Sequence, residues 1–172
     1  EFQFVIAGMS LLGEKFYQPF IQGMQNVSVI YDKTYPLLSV AHAAIVCSGT
    51  ATLETALFNV PQVVCYQANA LSVAIARLLI GDKIKYISLV NLIADAPVVT
   101  ELIQGQVTDN ALESEFEKIA SHEDCRAHIF QGYARVHQIL GNAGASDRTA
   151  NEIINIMKQY IIKIQNIYLF SI

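Results

Sequence analysis

The sequence predicts an α/β fold in which a parallel sheet carries helices on both faces and is followed by a helical C-terminal part. Short apolar runs, typical of strands that are buried on both faces, alternate with helical patterns over the first half of the chain. Strands that alternate with helices in this way are joined by right-handed crossovers, which makes the sheet parallel. After residue 89 the patterns are mostly helical. We therefore expect an α/β core over residues 1–104 and helices over 105–172.

The apolar runs predict five strands, at 2–7, 27–31, 43–47, 62–66 and 85–89. Helical periodicity predicts helices within 14–25, 34–41, 50–60, 71–80 and, after residue 108, in three further segments. The first of these helices would carry one apolar face, made of Phe16, Phe20, Ile21 and Met24. Caps are expected at Thr108, at Ser121 with Asp124, and at Ser146, and Gly81 would end the helix over 71–80.

Composition excludes several classes of function. The 172 residues are 53% hydrophobic and 15% charged, and the net charge is −4 with no basic block, which argues against nucleic acid as the main partner. The three cysteines form no CxxC pair, as expected for a reduced, cytoplasmic protein. No apolar run has the length that spans a bilayer. Because the chain opens on Glu1 and at once enters a strand pattern, we expect a fragment of a longer protein.

The turn Ser48-Gly49-Thr50 is the strongest candidate site. It lies between a predicted strand and a predicted helix, where parallel sheets bind their ligands. Gly49 lets the backbone approach a ligand closely, and the first N–H groups of the helix favour an anion such as a phosphate. Glu54 stands one helical turn further on, where a carboxylate suits sugar hydroxyls rather than phosphate. An ordinary strand-to-helix turn with a solvated Glu54 is the alternative that the pattern leaves open.

Other polar residues carry weaker signals. Asn91 follows the predicted fifth strand and reads on its own as a turn residue. The four histidines show no metal-binding spacing, so we predict no metal site and no cofactor. Cys47 and Cys65 end neighbouring predicted strands and are expected to be buried structural thiols.

The order of the motifs resembles the lipid-A-disaccharide synthase family of glycosyltransferases. SGTATLE at 48–54 is followed by VPQVVCY at 60–66, SLVNLIA at 88–94 and ELIQ at 101–104, and GASDR at 144–148 is similar to the family's C-terminal signature. The resemblance covers most of residues 1–160. It implies a GT-B architecture of two Rossmann-like domains, of which this chain would be most of the C-terminal, donor-binding one, with the N-terminal acceptor domain absent.

The resemblance also implies roles for single residues. Ser48, Gly49 and Thr50 would contact the diphosphate of a UDP-sugar, and Glu54 would contact its ribose. Asn91 would line the catalytic cleft. Three further residues would flank the nucleotide site: Tyr66, Glu101 and Gln104. The family usually has other residues where this chain has Gln67, Val90, Asp95 and Ala96, which weakens any claim of a cationic contact there.

The reaction implied by the resemblance joins UDP-2,3-diacylglucosamine to 2,3-diacylglucosamine 1-phosphate with inversion and release of UDP. The base would come from the missing domain, so the 172-residue chain alone would be inactive. Lipid substrates imply a cytoplasmic enzyme, peripheral to the inner membrane, and a homodimer is left open. The alternatives are another UDP-GlcNAc-using GT-B enzyme, such as a 2-epimerase or the peptidoglycan GlcNAc transferase, and a non-catalytic nucleotide-sugar-binding module.

Overall fold

The computed structural model describes residues 2–47, 49–68 and 85–169, with side chains described as far as residue 161. Several features expected from the sequence lie outside these residues. They are Ser48, the helix over 71–80 with its end at Gly81, and the last residues of the tail.

Parallel strands in two groups form the β part of the fold. β1 (Phe4–Gly8) pairs with β2 (Val27–Tyr31). The second group has the order β3 (Ala44–Cys47), β4 (Gln62–Tyr66) and β5 (Thr100–Ile103). Strands β1 to β4 lie where the apolar runs predicted strands, and their ends agree with the predicted ends to within two residues. Because β3, β4 and β5 are parallel, their carboxyl ends meet at one edge, where Cys47 lies opposite Cys65 and Tyr66 opposite Ile103.

The predicted fifth strand at 85–89 is wrong, and the third strand of this sheet is instead Thr100–Ile103. Ser88 begins a helix, because its hydroxyl accepts the N–H of Asn91 at 3.2 Å. The N–H groups of Ile87 and Ser88 are bound by the Glu101 carboxylate rather than by a neighbouring strand. The β-forming residues at 86–87 therefore form part of a hydrogen-bonded loop.

The helices flank the strands and dominate the second half. Their bounds are α1 (Glu14–Ile21), α2 (Thr34–Leu38), α3 (Thr50–Leu57), α4 (Leu89–Ala94), α5 (Asp109–Ser121), α6 (Glu123–Leu140) and α7 (Ala145–Leu169). Thr108 caps α5 as predicted, since its hydroxyl accepts the N–H of Ala111 at 3.3 Å. The other two predicted caps are wrong: Ser121 is the last residue of α5, and Ser146 lies within α7, one residue after its start.

The expected apolar face of α1 is exposed. Phe16, Phe20 and Met24 are 50%, 63% and 54% accessible, and Tyr17 is the residue of this helix that is buried. The contact that buries a residue of α1 is made by Tyr17: its ring packs edge-on against Tyr31 of β2, and its hydroxyl accepts the N–H of Met9 at 2.8 Å. Hydrophobic spacing alone does not show which aromatic side chain of the helix is buried.

The core lies between the three-stranded sheet and the helices that follow it. Val63 and Val64 of β4 are packed with Ile119 of α5 and with Ile129 and Val136 of α6. Helices α5 and α6 therefore share the core of the sheet. By its contacts the chain separates into a unit over Glu1–Ile139 and a second over Leu140–Ile172, which contains α7. Among the described helices, none combines the length and the apolar character needed to cross a bilayer.

Gly132 marks the tightest contact in this core. A Cβ atom at this position of α6 would overlap three side-chain carbons of Val98. In an open helix, Gly→Ala stabilises by about 1 kcal/mol, but here overpacking reverses the sign. We expect Gly132→Ala to lower the free energy of unfolding by about 2 kcal/mol in urea titrations. The double variant Gly132→Ala/Val98→Ala should recover part of this loss, and a stabilised single variant would contradict the packing.

Candidate functional site

The turn before α3 has a backbone conformation that requires glycine. Gly49 has φ 136° and ψ −161°, a region that L-amino acids rarely adopt. Both Gly49 and Thr50 are exposed, and helix geometry leaves the N–H groups of Thr50 and Ala51, the first two residues of α3, without intrahelical acceptors. The positive end of the helix dipole points the same way. The arrangement suits an anion at the start of α3.

Glu54 lies one turn into α3 and lines a cavity of about 350 Å³. The opposite wall is formed by the segment after β2, which contributes Asp32, Thr34, Tyr35 and Pro36. Hydrogen bonds from Ser10 lower the pKa of the Asp32 carboxyl, so this group is ionised at neutral pH. With two carboxylates in its wall, the cavity suits a ligand that offers hydroxyl or N–H donors rather than a second anion.

The carboxyl edge of the three-stranded sheet brings further predicted residues together. Tyr66 is the last residue of β4 and lies opposite Ile103, and Gln104 follows directly. Gly49 follows the end of β3 at the same edge. Gln104 has φ 53°, a left-handed conformation that turns the chain sharply at the end of β5. Tyr66, Gln104 and Gly49 are therefore grouped along this edge.

Glu101 sits further back in β5, and its carboxylate is occupied by the protein itself. One oxygen accepts the N–H of Ser88 at 2.8 Å, the Ser88 hydroxyl at 2.7 Å and the Asn91 amide at 3.0 Å, and the other accepts the N–H of Ile87 at 2.9 Å. Ionised acceptors make the strongest hydrogen bonds of this kind. Ser88, Asn91 and Glu101 are called the Glu101 cluster below.

Asn91 belongs to α4 and is buried, with 1% of its surface accessible. Its carbonyl oxygen accepts the N–H groups of Val98 and Val99, both at 2.9 Å. Its amide nitrogen donates to the Val99 carbonyl at 2.9 Å and to Glu101. The side chain thus fastens the segment before β5 with three hydrogen bonds and β5 itself with a fourth.

A second cavity, of about 270 Å³, adjoins the Glu101 cluster. Asn91 and Glu101 line it together with Tyr86, the start of β5 and one face of α6. Within that wall, an imidazole nitrogen of His128 lies 3.3 Å from the Pro97 carbonyl oxygen. Since β5 begins at Thr100, this cavity lies beside the amino end of the strand, whereas Gly49 and Tyr66 mark the carboxyl edge.

Sequence reasoning missed three buried polar residues behind the Gly49 turn. Thr52, Gln62 and Tyr133 are each 0% accessible, and hydrogen bonds connect them to one another. Gln62 is the residue that could have indicated this network from sequence, because a glutamine at the start of an apolar strand needs a buried hydrogen-bond partner. Its partner Tyr133 is 71 residues away, which no local pattern indicates.

Comparison with known proteins identifies relatives of the chain. The family model described as lipid-A-disaccharide synthetase matches residues 12–154. A lipid-A-disaccharide synthase of Syntrophus aciditrophicus is 38% identical over 134 residues, which cover 78% of this chain and 34% of the relative. That of Anaeromyxobacter dehalogenans is 32% identical over 158 residues, covering 91% and 41%. That of Gloeothece citriformis is 35% identical over 133 residues, covering 77% and 34%. The chain thus spans between a third and two fifths of the length of these relatives.

Proposed function

Because the chain belongs to the lipid-A-disaccharide synthase family, we propose that it is the part of a lipid A glycosyltransferase that binds the UDP-sugar donor. The observation that carries the proposal is the position of Glu54. Glu54 connects two features of the site. One is the exposed N-terminus of α3, which suits phosphate, and the other is a cavity whose carboxylate-bearing wall suits a sugar diol. A nucleoside diphosphate presents these two kinds of group at adjacent positions.

The diphosphate would lie against Gly49 and Thr50. Backbone N–H groups at the start of α3 would donate to its oxygens, and the exposed Thr50 hydroxyl would add a further donor. Ser48 belongs to the same proposed contact through its motif. Fixed donors at this position would also stabilise the charge that develops on UDP as it leaves the sugar. They would do so without a metal ion.

The ribose would enter the cavity beside Glu54. The Glu54 carboxylate would accept hydrogen bonds from the ribose hydroxyls, and the wall from Asp32 to Pro36 would enclose the nucleoside. Tyr35 is 56% accessible in this wall and its ring stacks on Phe58 with centroids 5.5 Å apart, which presents an aromatic surface to the base. Tyr66 and Gln104 would bound the site from the neighbouring strands.

Asn91 and Glu101 are proposed to support the cleft from behind. Their side-chain hydrogen bonds are directed to the protein, and they lie at the wall of the second cavity. Their contribution would be to hold the segment from Ile87 to Val99 in place. Direct contact with the reacting sugar is not required for this role.

The reaction that we propose for the whole protein joins UDP-2,3-diacylglucosamine to 2,3-diacylglucosamine 1-phosphate and releases UDP. The general base would act from outside this chain. The acyl chains of both substrates favour an enzyme that works at the cytoplasmic face of the inner membrane as a peripheral protein.

A calorimetric titration with UDP tests the donor site. We expect Glu54→Gln to weaken UDP binding about tenfold, because a hydrogen bond to a charged acceptor contributes about 1.5 kcal/mol or more. With 2′,3′-dideoxy-UDP, which has no ribose diol, the wild type and the variant should bind equally. Absence of UDP binding by the wild-type chain would overturn the proposal.

Glu113→Gln is the matched control for charge. Glu113 is exposed on α5, and its substitution makes the same change in net charge as Glu54→Gln. UDP affinity should be unchanged in this variant. Equal losses in both variants would mean that net charge, rather than a ribose contact, governs the affinity.

A further inference from the structure

A chain of buried hydrogen bonds leads from α6 to the turn before α3. The Thr52 hydroxyl donates to the Gly49 carbonyl at 2.8 Å, and the Thr52 N–H donates to the same oxygen at 3.2 Å. The Gln62 amide donates to the Thr52 carbonyl at 2.9 Å and to the Tyr133 hydroxyl at 2.9 Å. The Tyr133 hydroxyl in turn donates to the Val60 carbonyl at 2.9 Å. These contacts are called the Thr52–Tyr133 chain.

The chemistry of each acceptor fixes the direction of these bonds. The Thr52 carbonyl only accepts, so the nitrogen of the Gln62 amide must face it. The same nitrogen then meets the Tyr133 oxygen, which leaves the tyrosine proton for Val60. Burial raises the pKa of Tyr133 well above its usual range, so its hydroxyl keeps this proton. With Thr52, Gln62 and Tyr133 all 0% accessible, water does not compete for the bonds that Gln62 and Tyr133 make.

The position of the chain gives it a role beyond stability. Gly49 is exposed, and a Cβ at this position would touch none of the described residues within 4 Å, so their packing does not fix its conformation. Two donors from Thr52 hold its carbonyl instead. The orientation of the peptide plane after Gly49 sets the direction of the Thr50 N–H, because the two groups belong to one planar unit. Because the Gly49 carbonyl is held toward Thr52, the Thr50 N–H of the same peptide unit therefore points outward.

We propose that Thr52, Gln62 and Tyr133 are positioning residues that preorganise the Gly49–Thr50 peptide for the diphosphate. The inference rests on the proposed function, since it concerns the same ligand. It gives α6 a role in donor binding without contact to the donor, although α6 lies far along the chain from the turn. Preorganised donors bind an anion more tightly because less ordering accompanies binding.

Thr52→Val removes the hydroxyl at nearly constant volume, and Thr55→Val is its matched control. Thr55 is also buried in α3, at 2% accessibility, and its hydroxyl donates to the Ala51 carbonyl at 2.8 Å, outside the Thr52–Tyr133 chain. Both variants lose one buried hydroxyl bond and should lose similar stability. UDP affinity should fall about fivefold in Thr52→Val and less than about twofold in Thr55→Val. Thr52→Ser, which keeps the hydroxyl, should restore binding.

A second readout does not need UDP. In ¹H–¹⁵N spectra of the ligand-free protein, the amide resonances of Gly49 and Thr50 should move in Thr52→Val and in Tyr133→Phe, and should stay in place in Thr55→Val. Moved resonances with unchanged UDP affinity would overturn the inference, as would equal behaviour of Thr52→Val and Thr55→Val in both measurements. If the wild type binds no UDP at all while the resonances move as expected, the proposed function fails, and with it the role in donor binding, but the mechanical link to the turn stands.

Discussion

Replacing Asn91 by Ala is expected to lower the free energy of unfolding by about 3 kcal/mol. The substitution leaves the N–H groups of Val98 and Val99 without their acceptor, and each buried donor that loses its partner costs about 1–3 kcal/mol. It also removes the amide that binds Glu101 and the Val99 carbonyl. Urea unfolding followed by circular dichroism measures the change.

Asn110→Ala serves as the control for the loss of an amide side chain. Asn110 is exposed in the first turn of α5, and its substitution should change stability by no more than about 0.5 kcal/mol. Because Asn91 and Glu101 share a hydrogen bond, Glu101→Gln should destabilise less in the Asn91→Ala background than in the wild type. Additive effects would show that the Glu101 cluster does not act as one unit.

Gly49→Val is expected to weaken UDP binding about 50-fold or more. The φ of 136° and ψ of −161° at Gly49 lie in a region that is essentially limited to glycine, and strain there costs about 1–3 kcal/mol. The exposed turn can relieve this strain only by moving, and the movement displaces the N–H groups proposed to hold the diphosphate. Since no atom of the residues that the structure describes lies within 4 Å of the added Cβ, we attribute the effect to the backbone rather than to a clash.

Gly105→Ala is the control that distinguishes backbone strain at a positive φ from the mere loss of a glycine. Gly105 lies just beyond the carboxyl end of β5, also in open space, and its φ is not in the positive range. UDP affinity and stability should both remain close to those of the wild type. A Gly49→Val protein that binds UDP with wild-type affinity would remove the turn from the proposed site.

The outline of the fold could be predicted from sequence because its strongest signals are local. The strands β1 to β4 are nearly continuous apolar runs, and runs of this size indicate strands. The expected burial on both faces is wrong for β1, whose Phe4 and Val5 side chains are 37% and 39% accessible. Residues 85–89 carry the same β-forming character, yet the Glu101 carboxylate binds the N–H groups of Ile87 and Ser88 in a loop. What decides between strand and loop there is a carboxylate more than ten residues away. Local propensity does not contain that contact.

For the candidate site, too, local sequence signals marked some of the residues and missed others. The order of motifs marked Gly49, Glu54, Tyr66 and Gln104, and the structure groups them around one sheet edge and one helix N-terminus. The wall of the cavity opposite Glu54 was not marked, because Thr34 to Pro36 carry only the pattern of a short helix. The buried chain behind the turn was missed for a further reason: it depends on a tyrosine from α6, and tertiary contacts of this kind leave no periodic trace.

The Glu101 cluster and the Thr52–Tyr133 chain differ in the length of the polypeptide loops that their hydrogen bonds close. The Glu101 carboxylate closes loops of 10–14 residues, whereas the Tyr133 hydroxyl meets Gln62 and Val60 across 71 and 73 residues. Closing the longer loops costs about 1.5 kcal/mol more in chain entropy. The segment around Asn91 can therefore acquire its native shape early in folding, while the turn before α3 becomes fully ordered only when α6 docks. Competence to bind an anion at Gly49 would thus arise late in folding and report on completion of the core.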